Sequence, residues 1–300
     1  MATQLTSRPL KAQPSLTSQL SDYYALTKPE VNLLVVIATA AGYVLASSGN
    51  VNWARLICVL IGTLLVASGT ATLNQVMEKV HDARMRRTAR RPLPDGRLRS
   101  WEAAVFGILL SVAGTLELLV LVNWQSAALA LATLLSYLFI YTPLKRKTAL
   151  CTLLGAIPGA MPILIGWTGA SAIIDLRAAL LFAILFLWQF PHFLSIALLY
   201  REDYERAGYR MLPVRDREGR YTRAEIVGFT VLLTAVTLIC ASAQGRSIAS
   251  LLVMLGAGVF LLFQSIRLAG NGSKMAAGRL LHASVIYLPV VLAVLIAQKY

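Results

Sequence analysis

The chain has 300 residues, of which 57% are hydrophobic and only 14% are charged, and its mean hydropathy is +0.66. A soluble domain carries nearer a quarter of charged residues, so this composition excludes a soluble globular protein and indicates an integral protein of a lipid bilayer. We attribute the formal net charge of +14 to membrane topology and anionic lipid, and we expect no nucleic-acid partner.

The chain begins with a short polar segment. Its first 20 residues are rich in Ser, Thr and Gln and contain Arg8 and Lys11. We interpret residues 1–25 as a flexible cytoplasmic tail; an organelle presequence is the alternative, although no cleavable hydrophobic segment precedes the first span. No separate hydrophilic domain follows, so residues 26–300 are expected to form a single transmembrane domain.

Nine apolar segments long enough to span a bilayer follow the tail, and they predict an all-α membrane protein. They cover about residues 31–48, 53–77, 103–122, 124–142, 149–168, 177–199, 224–243, 247–266 and 280–298. Pro158 and Pro162 lie in the fifth segment with Gly155 and Gly159. We expect these residues to break or kink the helix and to open a cavity.

The basic residues are divided very unequally between the two sides of this topology. Of the 28 Lys and Arg residues, 24 fall in the tail or in the connections after the even-numbered spans. The other side holds only Arg55, Arg177, Arg246 and Lys299. The positive-inside rule then predicts a cytoplasmic (or matrix) N-terminus. The short tail favours a bacterial inner membrane over a mitochondrial inner membrane.

The most informative motif lies at the end of the second span. Asn74, Glu78 and Asp82 are spaced i, i+4, i+8 and therefore share one face of a helix. Two carboxylates and an amide are oxygen ligands, which suit Mg²⁺ better than zinc or copper. The alternative is an ordinary interfacial helix end whose charges are solvated.

Basic side chains follow this motif and recur after the fourth span. Arg87 and Arg91 belong to a cluster of five arginines, and Lys145 and Arg146 follow Pro143. They supply donors that suit phosphate oxygens. Part of this charge is expected from topology alone.

A second acidic loop follows the sixth span. Glu202, Asp203 and Glu205 either hold a second metal ion or form a solvated, self-neutralising loop. His192 lies late in the sixth span, where it is either a hydrogen-bonded packing residue or a contact for a substrate head group. A polar, metal-binding rim over an apolar cavity suits ionisation of an allylic diphosphate, because the cavity keeps the carbocation from water.

Taken in order, these motifs resemble the UbiA superfamily of membrane prenyltransferases and, within it, the protohaem IX farnesyltransferase (haem O synthase) family. The resemblance extends from about residue 26 to residue 214. It rests on Leu26-Thr27-Lys28-Pro29, Asn74-Gln75, Asp82-Ala83-x-Met85-x-Arg87-Thr88, Arg91-Pro92-Leu93-Pro94, Tyr141-Thr142-x-Leu144-Lys145-Arg146, Gly155-Ala156-x-Pro158-Gly159-Ala160, Gly166-Trp167, Pro191-His192-Phe193, Asp203-Tyr204-x-x-Ala207-Gly208 and Met211-Leu212-Pro213.

The resemblance implies nine transmembrane helices around a central cavity, with a Mg²⁺–diphosphate site on the cytoplasmic side. It implies transfer of farnesyl from farnesyl diphosphate to a vinyl group of haem b, with addition of water, giving haem O for terminal oxidases. A haem A synthase or an oxidase-assembly protein is the implied partner.

The resemblance also implies roles for individual residues. Asn74, Glu78 and Asp82 would form the catalytic metal site, with Asp203 as a further metal ligand. Diphosphate would be bound by Lys145 and Arg146, with Arg87 or Arg91, and His192 is a candidate haem contact.

Two features depart from the superfamily pattern. Glu78 stands where the superfamily often has Asp, and Tyr200 and Tyr204 occupy the offsets of the second Asp-x-x-x-Asp motif. Glu202, Asp203 or Glu205 would have to replace these tyrosines if a second metal ion binds. Two alternative functions stay open: a related prenyltransferase with a quinone-precursor or chlorophyllide acceptor, and a cation-coupled transporter of an anionic solute.

Overall fold

The computed structural model describes residues 15–244 and 247–299, and within those residues the secondary structure is helical, without strands. Nine helices in this part of the chain are long and apolar enough to cross a membrane. These spans are Pro29–Ala46, Trp53–Asp82, Ser100–Val122, Trp124–Leu144, Cys151–Ala170, Leu176–Leu199, Arg220–Ala243, Ile248–Asn271 and Lys274–Ala297. The predicted class of nine-span membrane protein is confirmed.

The helices are numbered in chain order, and two of the spans contain a π-helical segment. The elements are α1 Leu16–Leu26, α2 Pro29–Ala46, α3 Trp53–Asp82, α4 Ser100–Glu117 with a π-helical end at Leu118–Val122, α5 Trp124–Leu135 with a π-helical end at Ser136–Tyr141, α6 Thr142–Leu144, α7 Cys151–Ala170, α8 Leu176–Leu199, α9 Arg201–Arg206, α10 Leu212–Arg215, α11 Arg220–Gln244, α12 Ile248–Asn271 and α13 Lys274–Ala297.

Part of the expected N-terminal tail is a helix. Residues 1–14 lie outside the described residues, but α1 covers Leu16–Leu26, and the Ser15 hydroxyl caps it by accepting a hydrogen bond from the Ser18 N–H. Leu26 is fully buried in an apolar cluster with residues of the loop before α4. The expected boundary at residue 25 therefore falls inside a helix that packs on the membrane domain.

Two glycines allow α2 and α7 to cross in direct backbone contact. A Cβ atom on Gly166 would lie 1.9 Å from the carbonyl oxygen of Thr39, and one on Gly42 would lie 2.1 Å from that of Ile163. Small residues at such crossings let membrane helices approach closely, where dispersion contacts replace the hydrophobic effect that lipid cannot supply. This crossing fixes α2 against the centre of the bundle.

The expected break in the fifth span is absent from the structure. Helix α7 is continuous from Cys151 to Ala170 although it contains Pro158 and Pro162. A Cβ atom on Gly159 would lie 1.9 Å from the Gln189 side chain, so this glycine accommodates a neighbouring residue instead of opening space. The expected break of this helix is therefore wrong, and Gly159 is a position of close packing.

Because consecutive spans alternate in direction, α3, α5 and α8 all finish at the same end of the bundle. The polar loops that follow these spans contact one another there. A small apolar cluster packs between the loops and the spans and consists of Met85, Cys151, Ala197, Ala207, Tyr209 and Met211. We refer to this end of the bundle as the motif end.

Candidate active site at the motif end

Three separate loops are joined at the motif end by direct hydrogen bonds. The backbone N–H of Arg87 donates to Asp203 Oδ2 over 3.2 Å, which joins the loop after α3 to helix α9. The backbone N–H of Arg210 donates to the carbonyl oxygen of Lys145 over 2.8 Å, which joins the segment after α6 to the chain after α9. The acidic and basic motifs, far apart in sequence, therefore share one site.

Asn74, Glu78 and Asp82 lie on one face of α3, as their spacing predicts. All three are buried, with exposed fractions of 1%, 7% and 2%. Acidic residues buried near a membrane span are costly unless they have partners, so their contacts determine what the site can bind.

Glu78 is held by a lysine and a tyrosine. Lys145 Nζ donates to both carboxylate oxygens, at 3.1 and 3.2 Å, and the Tyr209 hydroxyl donates to Oε1 over 3.0 Å. The Lys145 ammonium also lies 4.5 Å from the centre of the Tyr141 ring. Burial alone would lower the pKa of Lys145, but attraction to Tyr141 and Glu78 outweighs it and holds that pKa well above its usual range.

Asp82 occupies the last position of α3 and pairs with an arginine of the following loop. Arg91 Nη1 lies 2.8 Å from Asp82 Oδ2, and the Thr88 hydroxyl donates to the Asp82 carbonyl oxygen over 2.8 Å. Thr88 therefore satisfies a carbonyl that the helix end would leave without a partner. These contacts fold the arginine-rich loop back over the end of α3.

Asn74 links the site to α2 and α6. Its Nδ2 donates to Thr142 Oγ1 over 3.0 Å, and its Oδ1 accepts from Lys28 Nζ over 3.3 Å. Lys28 has a backbone φ of 50°, and it is the one non-glycine residue with positive φ in the described chain. Residues in this conformation are strained and concentrate at functional sites. Burial and repulsion from Arg91 and Lys145 lower the pKa of Lys28 to about 7.

Of the three acids in the second acidic loop, only Asp203 is buried, with 6% exposure. Besides the Arg87 N–H, it contacts Arg206, whose Nη2 lies 2.8 Å from Oδ1. Glu202 is exposed and pairs with Lys274 of α13 over 2.8 Å, and Glu205 is exposed. The structure thus brings Asp203 to the first motif and leaves Glu202 and Glu205 at the surface.

Arg87 and Arg146 occupy more open positions than Lys145 and Arg91. The Arg87 guanidinium lies 5.0 Å from the centre of the Tyr200 ring. Tyr200, which stands where the superfamily's second motif often has Asp, therefore contacts a cation through its ring. Arg146 Nη1 lies 3.2 Å from His81 Nε2. Both arginines are exposed and retain donors that can face a ligand.

Two open hollows flank these residues. One, of about 410 Å³, lies between Arg87, Tyr200, Asp203 and Lys274. The other, of about 350 Å³, is more strongly basic and is lined on one side by α1 and on the other by Lys28, Arg87, Arg90, Arg91 and Arg97. Arg87 borders both hollows, which lie on either side of the arginine loop.

His192 lies away from these acids, inside helix α8. Its Nδ1 is 2.9 Å from Ser284 Oγ of α13, and its ring stacks on Trp188 with 4.5 Å between ring centres. None of its contacts is with Glu78, Asp82 or Asp203.

The donor set at the motif end fits a magnesium ion that shares its coordination with phosphate. In the described part of the chain, no three His, Cys, Asp or Glu residues come together as a metal-binding group. The buried oxygens of Asn74, Glu78, Asp82 and Asp203 are hard donors, and Mg²⁺ characteristically takes one or two carboxylates plus substrate phosphates. A closed site formed by protein alone, of the kind zinc uses, does not fit.

Sequence reasoning missed several members of this site. From the sequence, Lys28 was counted among the basic residues that set the membrane orientation and belonged to one motif of the family resemblance, but it was not predicted to be a site residue. Tyr209 contacts Glu78, and Thr142 contacts Asn74. No spacing in the sequence points to these two residues, because they lie in segments of the chain far from the first motif.

In the described part of the chain, nine spans carry a buried set of acids and cations at one end of the bundle. Comparison with known proteins names the class. The model of the UbiA prenyltransferase family matches residues 35–286. The chain belongs to the UbiA family and is an integral membrane prenyltransferase.

Individual relatives agree with this assignment. The chain is 44% identical to a protein named "Protoheme IX farnesyltransferase" from Solibacter usitatus, over 93% of this chain and 99% of the relative. Among solved structures it is similar to digeranylgeranylglyceryl phosphate synthase, with a TM-score of 0.77 and 17% identity over 94% of this chain and 99% of that one. A UbiA homolog from Archaeoglobus fulgidus, solved bound to GPP and Mg²⁺, gives a TM-score of 0.67 and 15% identity over 91% of this chain and 99% of that one.

Proposed function

We propose that this chain is a protohaem IX farnesyltransferase. It transfers the farnesyl group of farnesyl diphosphate to a vinyl group of haem b and adds water, which gives haem O for terminal oxidases. The side chains of Lys28, Lys145 and Arg91 contact the first acidic motif, and the Arg87 backbone N–H joins Asp203 of the second motif to the same site. This arrangement carries the diphosphate half of the proposal. The acceptor half is supported by the relative that is 44% identical and carries this name over nearly its whole length.

The reaction balances without an oxidant or a reductant. The C1–O bond of the allylic diphosphate breaks, and its electron pair leaves with the diphosphate. The vinyl π electrons then form a bond to farnesyl C1, which leaves a cation on the carbon next to the porphyrin ring. Water adds to that carbon and loses one proton, so the product carries a hydroxyl group beside the new farnesyl chain.

Lys145, Arg91, Lys28 and Arg87 stabilise the charge that develops on the leaving diphosphate, with Arg146 at the rim. When bound, Mg²⁺ supplies further neutralisation of that charge, and Asn74, Glu78, Asp82 and Asp203 are the residues that would hold it. Tyr209 and Thr142 orient Glu78 and Asn74 through the hydrogen bonds described above.

The proposal includes a location and an orientation. We infer a cytoplasmic N-terminus, because the strongly basic connections lie at the motif end. We infer a bacterial inner membrane, because the relatives are bacterial. A cytoplasmic motif end would also meet soluble farnesyl diphosphate directly. A mitochondrial inner membrane is the alternative location, and a haem A synthase or oxidase-assembly protein is the proposed recipient of the product.

Product formation tests the proposal directly. Purified protein with farnesyl diphosphate, haem b and Mg²⁺ should yield haem O, identified by mass spectrometry. Farnesylation of a quinone precursor or of chlorophyllide in its place would assign another acceptor within the family. Saturable uptake of an anionic solute into vesicles, with no prenylated product, would favour a transporter.

Single substitutions test the site. Glu78→Gln and Asp82→Asn should each abolish turnover while the folded protein remains in the membrane. Glu218→Gln is a matched control, because its side chain is 74% exposed and pairs with Arg220 at the surface. Near-normal rates in both site variants would refute the proposed metal–diphosphate site.

A further inference from the structure

His192 differs from the other two histidines of the chain. His81 has both ring nitrogens engaged, Nδ1 with the Ala207 carbonyl and Nε2 with Arg146. His282 is exposed on α13. His192 is half-buried in a span, and in the described part of the chain its Nε2 has no hydrogen-bond partner. Protein atoms do not fully enclose Nε2, so a ligand can reach it.

The surroundings of His192 determine which ring nitrogen carries the proton. Ser284 Oγ donates its single hydrogen to the carbonyl oxygen of Leu281 over 2.7 Å. Towards His192 the same oxygen must therefore accept, so Nδ1 is protonated and Nε2 keeps its lone pair. Metal-binding histidines use this arrangement, in which a hydrogen bond from one nitrogen fixes the ring and directs the other towards the metal.

Stacking on Trp188 also fixes the His192 ring. The other residues on the same face of α8 show which way His192 points. Trp188 stacks on His192 and donates from Nε1 to the Ser284 carbonyl oxygen over 2.7 Å, so all three residues form one rigid unit. Leu185 and Leu181, seven and eleven residues earlier, lie on the same face of α8 and are buried. The face that carries His192 therefore points into the bundle and away from lipid.

Neighbouring helices enclose this face. Gln189, one turn from His192, donates to the Ala156 carbonyl of α7 over 2.8 Å, while Trp188 contacts α13. His192 thus projects between α7 and α13, and α2 packs against both of those helices. Seven residues separate it from the end of α8, so it lies roughly 10 Å inside the span, whereas Glu78 lies roughly 6 Å from the end of α3.

We propose that His192 Nε2 is an axial ligand of the haem iron in the acceptor complex. The inference deepens the proposed function, on which it rests, by assigning an anchor for the porphyrin. A coordinate bond forms between the Nε2 lone pair and the iron, with no change in oxidation state and no covalent bond broken. The bond fixes the plane of the acceptor below the diphosphate, so a vinyl group can be presented to farnesyl C1.

Optical and EPR spectra of haem b bound to the purified protein test this ligand. In the wild-type protein they should show a nitrogen-ligated haem, and His192→Ala should lose that signature, with a shifted Soret band. Added imidazole should restore the signature in His192→Gly. His282→Ala is the matched control and should keep the wild-type spectrum, because His282 faces away from the bundle interior. Ser284→Ala should weaken haem affinity on the order of tenfold without removing the ligand.

The outcomes separate this inference from the proposed function. If His192→Ala binds haem b with an unchanged spectrum and still forms haem O, the inference is refuted and the farnesyltransferase proposal stands. If the wild-type protein neither binds haem b nor forms haem O, the proposed function itself fails. Thermal unfolding of each variant identifies a misfolded protein, and imidazole rescue of His192→Gly excludes that explanation for a lost spectrum.

Discussion

The ion pair between Lys145 and Glu78 is expected to contribute both to the stability of this protein and to its turnover. The side chains are only 13% and 9% exposed, and Lys145 Nζ lies within 3.2 Å of both Glu78 oxygens. Lys145→Met keeps a side chain of similar length and removes the charge. Among the contacts described above, Glu78 then keeps only the hydrogen bond from Tyr209.

The loss of unfolding free energy in Lys145→Met depends on the broken ion pair and on the hydrogen bond from Tyr209 that remains. Breaking a buried pair by removing one partner costs about 3–5 kcal/mol. The retained Tyr209 hydrogen bond to a charged group offsets about 1.5–3 kcal/mol, which leaves a loss of about 2 kcal/mol. For a large domain this lowers the Tm by about 4–8 °C. Adding Glu78→Gln removes the unpaired carboxylate, so the double variant should recover most of the lost stability.

Thermal unfolding in detergent and turnover should be measured together for both single variants and the double variant. Stability should recover in the double variant while turnover stays absent. The pKa of Lys145 is raised, so its contribution to stability is complete below the unfolded pKa and is lost only at higher pH; the Tm loss should be constant from about pH 6 to 9. A wild-type Tm for Lys145→Met, or no recovery in the double variant, would refute this reasoning.

Three further predictions concern the hydrogen bond to Glu78, the α2–α7 crossing and the strained lysine. Tyr209→Phe removes the 3.0 Å bond and should lower the free energy of unfolding by about 1.5 kcal/mol, with reduced turnover, in the same two assays. Gly166→Ala should destabilise the protein by more than about 2 kcal/mol, whereas Gly256→Ala, with nothing within 4 Å, should stabilise it by up to about 1 kcal/mol in the same melts. Lys28→Asn should retain the wild-type Tm, because Asn tolerates positive φ, but should weaken diphosphate binding measured by calorimetry; unchanged affinity would remove Lys28 from the site.

The nine spans were predictable because each is a continuous apolar run, and the bilayer requires its backbone to be helical. The sequence could not show what the helices do to one another. Pro158 and Pro162 suggested a broken fifth span, yet α7 is continuous, because tertiary packing overrides the local preference of these residues. Likewise, the polar composition of the N-terminal segment predicts a tail, whereas in the structure Leu26 of α1 packs in an apolar cluster with the loop before α4.

The sequence predicts the part of the site whose residues share one helix. It does not predict the part whose residues come together only through tertiary packing. Spacing alone placed Asn74, Glu78 and Asp82 on one face. Spacing gave no basis for choosing among the three acids of the second acidic loop, and only the family resemblance favoured Asp203. Burial distinguishes Asp203 from Glu202 and Glu205, and burial depends on how α9 packs against the arginine loop.

The charges at the motif end bear on the order in which ligands bind. The residues described above include four cations, Arg87, Arg91, Lys145 and Arg206, and three acids, Glu78, Asp82 and Asp203. Lys28, with a pKa of about 7, adds a partial positive charge near neutral pH. Each buried acid contacts at least one of these cations or an N–H donor, so a metal ion arriving alone must displace a favourable partner. A diphosphate meets the excess of positive charge directly and can draw Lys145 and Arg91 towards its oxygens. That movement would free Glu78 and Asp82 to bind Mg²⁺, so the affinity for the metal should rise when diphosphate is present.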